Sequence, residues 1–167
     1  MSRSTSGWVT DVAGWEEFEG ALARTFREVT DRVFVIIAAE ADPTRYVQFA
    51  GRPSQLDAEA PGADVVADAD ESALVSSGWS APEREQPNWA VSLPLPALSD
   101  EYAALAARCV AALRDAYAIS SPDELAYRAW RDGERMPAGE TWTPEQIARL
   151  DTGADAVELP LLGISSD

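Results

Sequence analysis

The spacing of hydrophobic positions changes several times along the chain, and each change marks an element. Trp15, Phe18, Leu22, Phe26 and Val29 recur at intervals of three and four, the repeat of an amphipathic helix of about four to five turns. Thr10 or Asp11 stands where its N-cap belongs, and Glu16, Glu17 and Glu19 suit the positive end of its dipole. The segment "RVFVIIAAE" (32–40) is continuously apolar and β-branched, which predicts a central strand covered on both faces. Asp42-Pro43 then turns the chain. In "RYVQFAGRPSQLDAEAPG" (45–62), Val47 and Phe49 alternate with Tyr46, Gln48 and Ala50. Beyond Gly51-Arg52-Pro53-Ser54, Leu56, Ala58 and Ala60 alternate with Asp57 and Glu59. Alternation on both sides of a Gly/Pro turn predicts a hairpin with one buried and one polar, increasingly acidic face.

Further along, "ADESALVSSGW" (69–79) reads as a short helix. Gly78 fits the left-handed position just past its end, with Trp79 folding back on Leu74. "PNWAVSLPLP" (87–96) alternates Trp89, Val91 and Leu93 with Asn88, Ala90 and Ser92; its flanking prolines make it an edge strand. Ser99 then caps a helix in which Tyr102, Leu105, Cys109, Ala112, Leu113, Ala116 and Tyr117 form one stripe, with Asp100 and Glu101 in the first turn. After residue 119 two capping boxes, Ser121-Pro122-Asp123-Glu124 and Thr143-Pro144-Glu145-Gln146, predict helix starts around the loop "RDGERMPAGE". A last apolar cluster, Val157 to Leu162, is interrupted by Pro160. The order is α-β-β-β-α-β-α followed by a mostly helical tail.

With 46% hydrophobic residues in 167, the chain has the material for a core. Its charge narrows the partners. A net charge of −16 repels nucleic acid and anionic membrane and favours basic or neutral polypeptides. Absences narrow the chemistry. There is no His, and every basic residue is Arg, which removes Ser-His-Asp and Cys-His catalysis, imidazole ligation and Schiff-base chemistry. Carboxylates, Tyr, Arg and one Cys remain. Cys109 has no second Cys to pair with and no His to activate it; on the helix stripe it reads as a buried thiol. Seven acidic residues lie between Arg52 and Arg84 with no basic one, but Asp64, Asp68, Asp70 and Glu71 lack the spacing of a calcium loop. Asp57 and Glu59 share a strand face about 7 Å apart, as residues of any polar strand face do. No apolar run resembles a signal peptide or a membrane span, so the expected setting is the cytoplasm.

The strings "RYVQFAG" and "LDAEA", Gly78-Trp79 with Pro82, and Asn88-Trp89 together resemble the TY-Chap domain, a family related to YbjN-like proteins and to the type III secretion chaperones. The resemblance covers about residues 10–118. It implies a helix, a three-stranded antiparallel meander, a second helix, a further strand and a long closing helix, the order read independently above. It also implies peptide binding, commonly to a partner held unfolded or export-competent, without catalysis or cofactor. The secretion chaperones usually show two strands between the second and last helices where one is evident here.

The expected fold is therefore α+β: an antiparallel β-meander flanked by helices over residues 10–118, with a mostly helical C-terminal extension over 119–167. The expected function is a chaperone-like module, not an enzyme, that binds a basic or unfolded segment of another polypeptide and uses neither cofactor nor metal. An immunity-type inhibitor of a basic toxin domain is the alternative, and a homodimer is left open. Trp89, Trp79, Tyr46 and Gln48 are the expected contacts, because aromatics at an edge strand and a helix end anchor partners. Asp57 and Glu59 are the expected steering charges.

Overall fold

The computed structural model describes residues 11–167; Trp8 and Thr10 lie outside the described residues. Helix α1 (Val12–Thr25) is capped by Asp11, whose Oδ1 accepts the Gly14 N–H at 3.0 Å. It buries Trp15, Phe18 and Leu22 and tightens into a 3₁₀ turn at Phe26–Glu28. Three strands follow: β1 (Val33–Ala39), β2 (Tyr46–Gly51) and β3 (Gln55–Ala60). Helix α2 (Glu71–Ser77) ends at Gly78, whose φ of 101° needs a residue without Cβ. Trp79 then donates its backbone N–H to the Leu74 carbonyl, the expected cap. Strand β4 (Trp89–Pro94) leads into α3 (Ser99–Val110), which begins at Ser99 itself and continues as a π-helical stretch, Ala111–Ala116.

The fold is α+β, and the strand order is β4-β3-β2-β1-β5-β6. Its first four strands are the predicted ones, all antiparallel. The difference lies after residue 119. Ser121-Pro122-Asp123-Glu124 makes a single 3₁₀ turn, and the chain then extends as β5 (Leu125–Arg131), paired antiparallel with β1 along the whole of both strands. A capping box supplies local bonds for one turn only. The alternation of Leu125, Tyr127 and Ala129 with Ala126, Arg128 and Trp130 fits a pleat rather than a helix. The tail is correspondingly not mostly helical. It holds the five-residue α4 (Pro144–Ala148), a 3₁₀ turn at Pro160–Leu162 and the two-residue β6 (Ser165–Ser166). Because β6 runs parallel to β5, the sheet is mixed rather than purely antiparallel.

One face of the sheet carries the core. Val35, Ile37, Val47, Phe49, Leu56, Ala58 and Tyr127 are buried there beneath α1 and α3. Phe26 bridges the layers, edge-on to Phe49 at 5.0 Å and stacked near Tyr102 at 6.4 Å. Leu159 and Leu162 from the tail are buried in the same core, Leu162 in a turn that packs on α1. The Leu159 N–H donates to Tyr127 Oη at 2.9 Å. The apolar cluster of the tail thus seals the helical side. The expectation for β1 needs correction: its residues alternate between buried and half-buried, so only one of its faces is covered, although both are apolar.

Candidate functional site

The uncovered face of the sheet is made of the residues that alternate with the core. Strand pairing sets them in rows. One row places Glu59 opposite Gln48, Gln48 opposite Ile36 and Ile36 opposite Arg128. The next places Asp57 opposite Ala50, Ala50 opposite Phe34 and Phe34 opposite Trp130. A third sets Tyr46 opposite Ala38 and Ala38 opposite Ala126. The centre of the face is therefore apolar, with carboxylates along β3 and a guanidinium on β5.

The polar side is built with definite partners. Glu59 Oε1 accepts from Gln48 Nε2 at 3.3 Å and from Asn88 Nδ2 at 3.0 Å. Asp57 accepts from Gln55 Nε2 at 2.7 Å and Ser92 Oγ at 2.8 Å, and pairs with Arg52 at 3.3 Å. Burial raises the Tyr46 phenol above its ordinary value; the negative charges of Glu59 and Asp64 add to this, against a hydrogen bond with Asn88. Tyr46 thus stays protonated and keeps its O–H as a donor at neutral pH. On the apolar side Phe34 and Trp130 stack with ring centroids 5.6 Å apart. The Arg52 guanidinium lies 5.8 Å from the Phe34 centroid and that of Arg128 lies 5.1 Å from Trp130, within cation–π range.

Two adjoining hollows indent the face. One, of ≈ 150 Å³, is bounded by Phe34, Trp130, Asp57 and Glu59. The other, of ≈ 330 Å³, is bounded by Ala38, Tyr46, Arg128 and Asp167. Ile36 and Gln48 line both. The surface is an open trough of the kind that takes a chain segment, not a deep cleft that encloses a small molecule.

Two of the four expected contacts, Tyr46 and Gln48, and both expected steering charges, Asp57 and Glu59, come together on this face. Trp89 and Trp79 do not. Trp89 alternates onto the core side of β4 and is 5% exposed; Trp79 is 4% exposed, and its indole N–H donates to the Arg108 carbonyl at 3.0 Å. Among the described residues Trp89 Nε1 has no hydrogen-bond partner. Its ring is admitted by Gly62, where a Cβ would come within 2.8 Å of that nitrogen. The edge outside β4 is also short. Ala90 exchanges both backbone hydrogen bonds with Ser80, and Pro94 has no N–H to offer. The sequence reading missed Phe34, Ile36, Arg128 and Trp130. The signal for the last two was the alternation from Leu125 to Arg131. For Phe34 and Ile36 there was none, since both faces of their strand are apolar.

Among the described residues, no group of three or more His, Cys, Asp or Glu is placed to hold a metal ion, and no helix is long and apolar enough to cross a membrane. The family model TY-Chap3, described as "T3SS (YopN, CesT) and YbjN peptide-binding chaperone 3", matches residues 10–131. That span is well over half of the chain and ends at the last residue of β5. No curated protein and no solved structure matches the chain.

Proposed function

We propose, from the premise that the chain belongs to the TY-Chap3 family of peptide-binding chaperones, that its uncovered sheet face holds a segment of another polypeptide. One observation carries the reading: Tyr46, Gln48, Asp57 and Glu59 converge with Phe34, Ile36 and Trp130 on the single sheet face that the helices leave bare. Apolar side chains of the segment would fill the two hollows, while Gln48, Tyr46 and Glu59 offer polar contacts. The surrounding negative field, from a net charge of −16, favours basic segments and speeds their approach. An unfolded segment suits the trough because it exposes alternate side chains to one surface. Trp89 and Trp79 support the platform from below rather than touching the partner. Nothing in the fold or the family match favours an inhibitor of a toxin domain.

The test is selection from a displayed library of random dodecapeptides, on the unaltered chain and on Ile36→Asp in parallel. Enrichment on the unaltered chain that drops at least tenfold on the variant is the expected result. Absence of enrichment, or equal enrichment on both, sinks the reading.

A further inference from the structure

We infer that the segment held on the open face carries its charges in a set order: a cation against Glu59, an apolar side chain over Ile36 and an anion against Arg128. This rests on the proposed use of that face. Within the row Glu59–Gln48–Ile36–Arg128, the two end groups are the ones left without a counter-ion. Among the described residues Glu59 is held only by neutral amides, from Gln48 and Asn88. Arg128 is exposed, lies over Trp130 and has no carboxylate in salt-bridge reach among the described residues. Neighbouring guanidinium groups are already matched, and Asp167, which borders the same hollow as Arg128, forms no salt bridge with it. Arg52 pairs with Asp57, and Arg32 and Arg131 both pair with Asp151. The two charges of the row are thus of opposite sign and stand at its opposite ends.

The spacing fits an extended chain. Three strand intervals separate Glu59 from Arg128, about 14 Å. In an extended segment the side chains at i, i+2 and i+4 face one surface and span about 13 Å, so the middle one falls between Gln48 and Ile36, within side-chain reach of Ile36. The matching partner therefore reads Arg or Lys, x, apolar, x, Asp or Glu, in either chain direction, and crosses the strands. A second copy of this chain would also present opposite charges across a two-fold axis. It would, however, set hollow against hollow and bring two bodies of charge −16 together. A peptide avoids both.

Two peptides test the order, each flanked by Gly and Ser and followed by fluorescence anisotropy: Arg-Ser-Leu-Ser-Glu and Arg-Ser-Leu-Ser-Arg. The unaltered chain is expected to bind the first at least tenfold more tightly. Arg128→Glu should reverse that preference, a gain that a misfolded variant cannot produce. Joining Glu59→Arg to Arg128→Glu should restore binding of the first peptide. If both peptides bind with equal affinity and Arg128→Glu changes neither, the charge order is wrong. The trough reading survives that result provided Ile36→Asp abolishes both. If sedimentation reveals a dimer that Glu59→Arg dissociates, the occupant is a second copy and the inference is overturned.

Discussion

Phe34 and Trp130 sit directly opposite each other in the β1–β5 register and stack with their planes only 15° apart. Both rings are half-buried on the face opposite the helices, flanked by the Arg52 and Arg128 guanidinium groups. The pair does two things: it ties β5 to the centre of the sheet, and it forms the apolar floor of the trough. Trp130→Ala is expected to lower stability through the lost pair by about 0.5–1.5 kcal/mol, added to the loss of the area the ring covers. Urea unfolding measures this, and the same variant should weaken any peptide selected on the face.

Asp151 fixes the tail to the sheet. Its carboxylate accepts from Arg131 at 2.7 and 3.0 Å, from the Gly153 N–H at 3.0 Å and from Arg32 at 3.0 Å. The Arg131 hydrogen bonds foremost, then the Gly153 amide, hold its carboxyl well below the usual range. A depressed native value means that the stabilisation is complete above the unfolded value, near 3.9. It is lost only as pH falls through the lower, native one. The Gly153 amide resonance should therefore titrate with a midpoint clearly below that of an ordinary aspartate. Asp151→Asn should remove the transition and increase proteolytic cleavage within residues 132–157. A midpoint at the ordinary value would contradict the clamp.

Cys109 is fully buried in the α3 stripe, and burial pushes its thiol upward. The thiolate is the reactive form. Native protein at pH 8 should accordingly react with a thiol reagent roughly a hundredfold more slowly than the unfolded chain. The labelling rate should rise with urea in step with unfolding. Fast labelling without denaturant would show that the helix opens locally.

Leu159 is 1% exposed, whereas Leu161, two residues on, is 46% exposed. Leu159→Ala should cost about 2–5 kcal/mol through the cavity it leaves. Leu161→Ala should stay within about 0.5 kcal/mol. Equal effects in urea unfolding would mean that the tail does not complete the core.

The hairpin was readable because its two faces differ in chemistry. Val47, Phe49, Leu56 and Ala58 alternate with Gln48, Asp57 and Glu59, and the pleat keeps those sets apart. The same rule assigns Trp89 to the core side with Val91 and Leu93, a placement that the appeal of an aromatic at a sheet margin obscured. Strand β1 concealed half of the site for the opposite reason. Phe34 and Ile36 are as apolar as Val35 and Ile37, so composition cannot say which set stays exposed. That is decided by which face α1 and α3 cover, a tertiary fact. Strand β5 was hidden by the signal in front of it. Ser121 and Glu124 do cap, with Ser121 Oγ accepting from the Asp123 N–H at 3.2 Å and Glu124 Oε2 from the Ser121 N–H at 3.1 Å. A cap fixes where a turn starts and not how far it runs.

The far margin of β5 is engaged along most of its length. Ala154 exchanges two hydrogen bonds with Arg131, the Val157 N–H donates to Ala129, and the Asp167 N–H donates to Tyr127. Bare strands recruit other strands, and an unprotected row of this length would seed end-to-end growth into fibrils. Residues beyond the family domain thus act as a built-in stopper along this margin of the sheet.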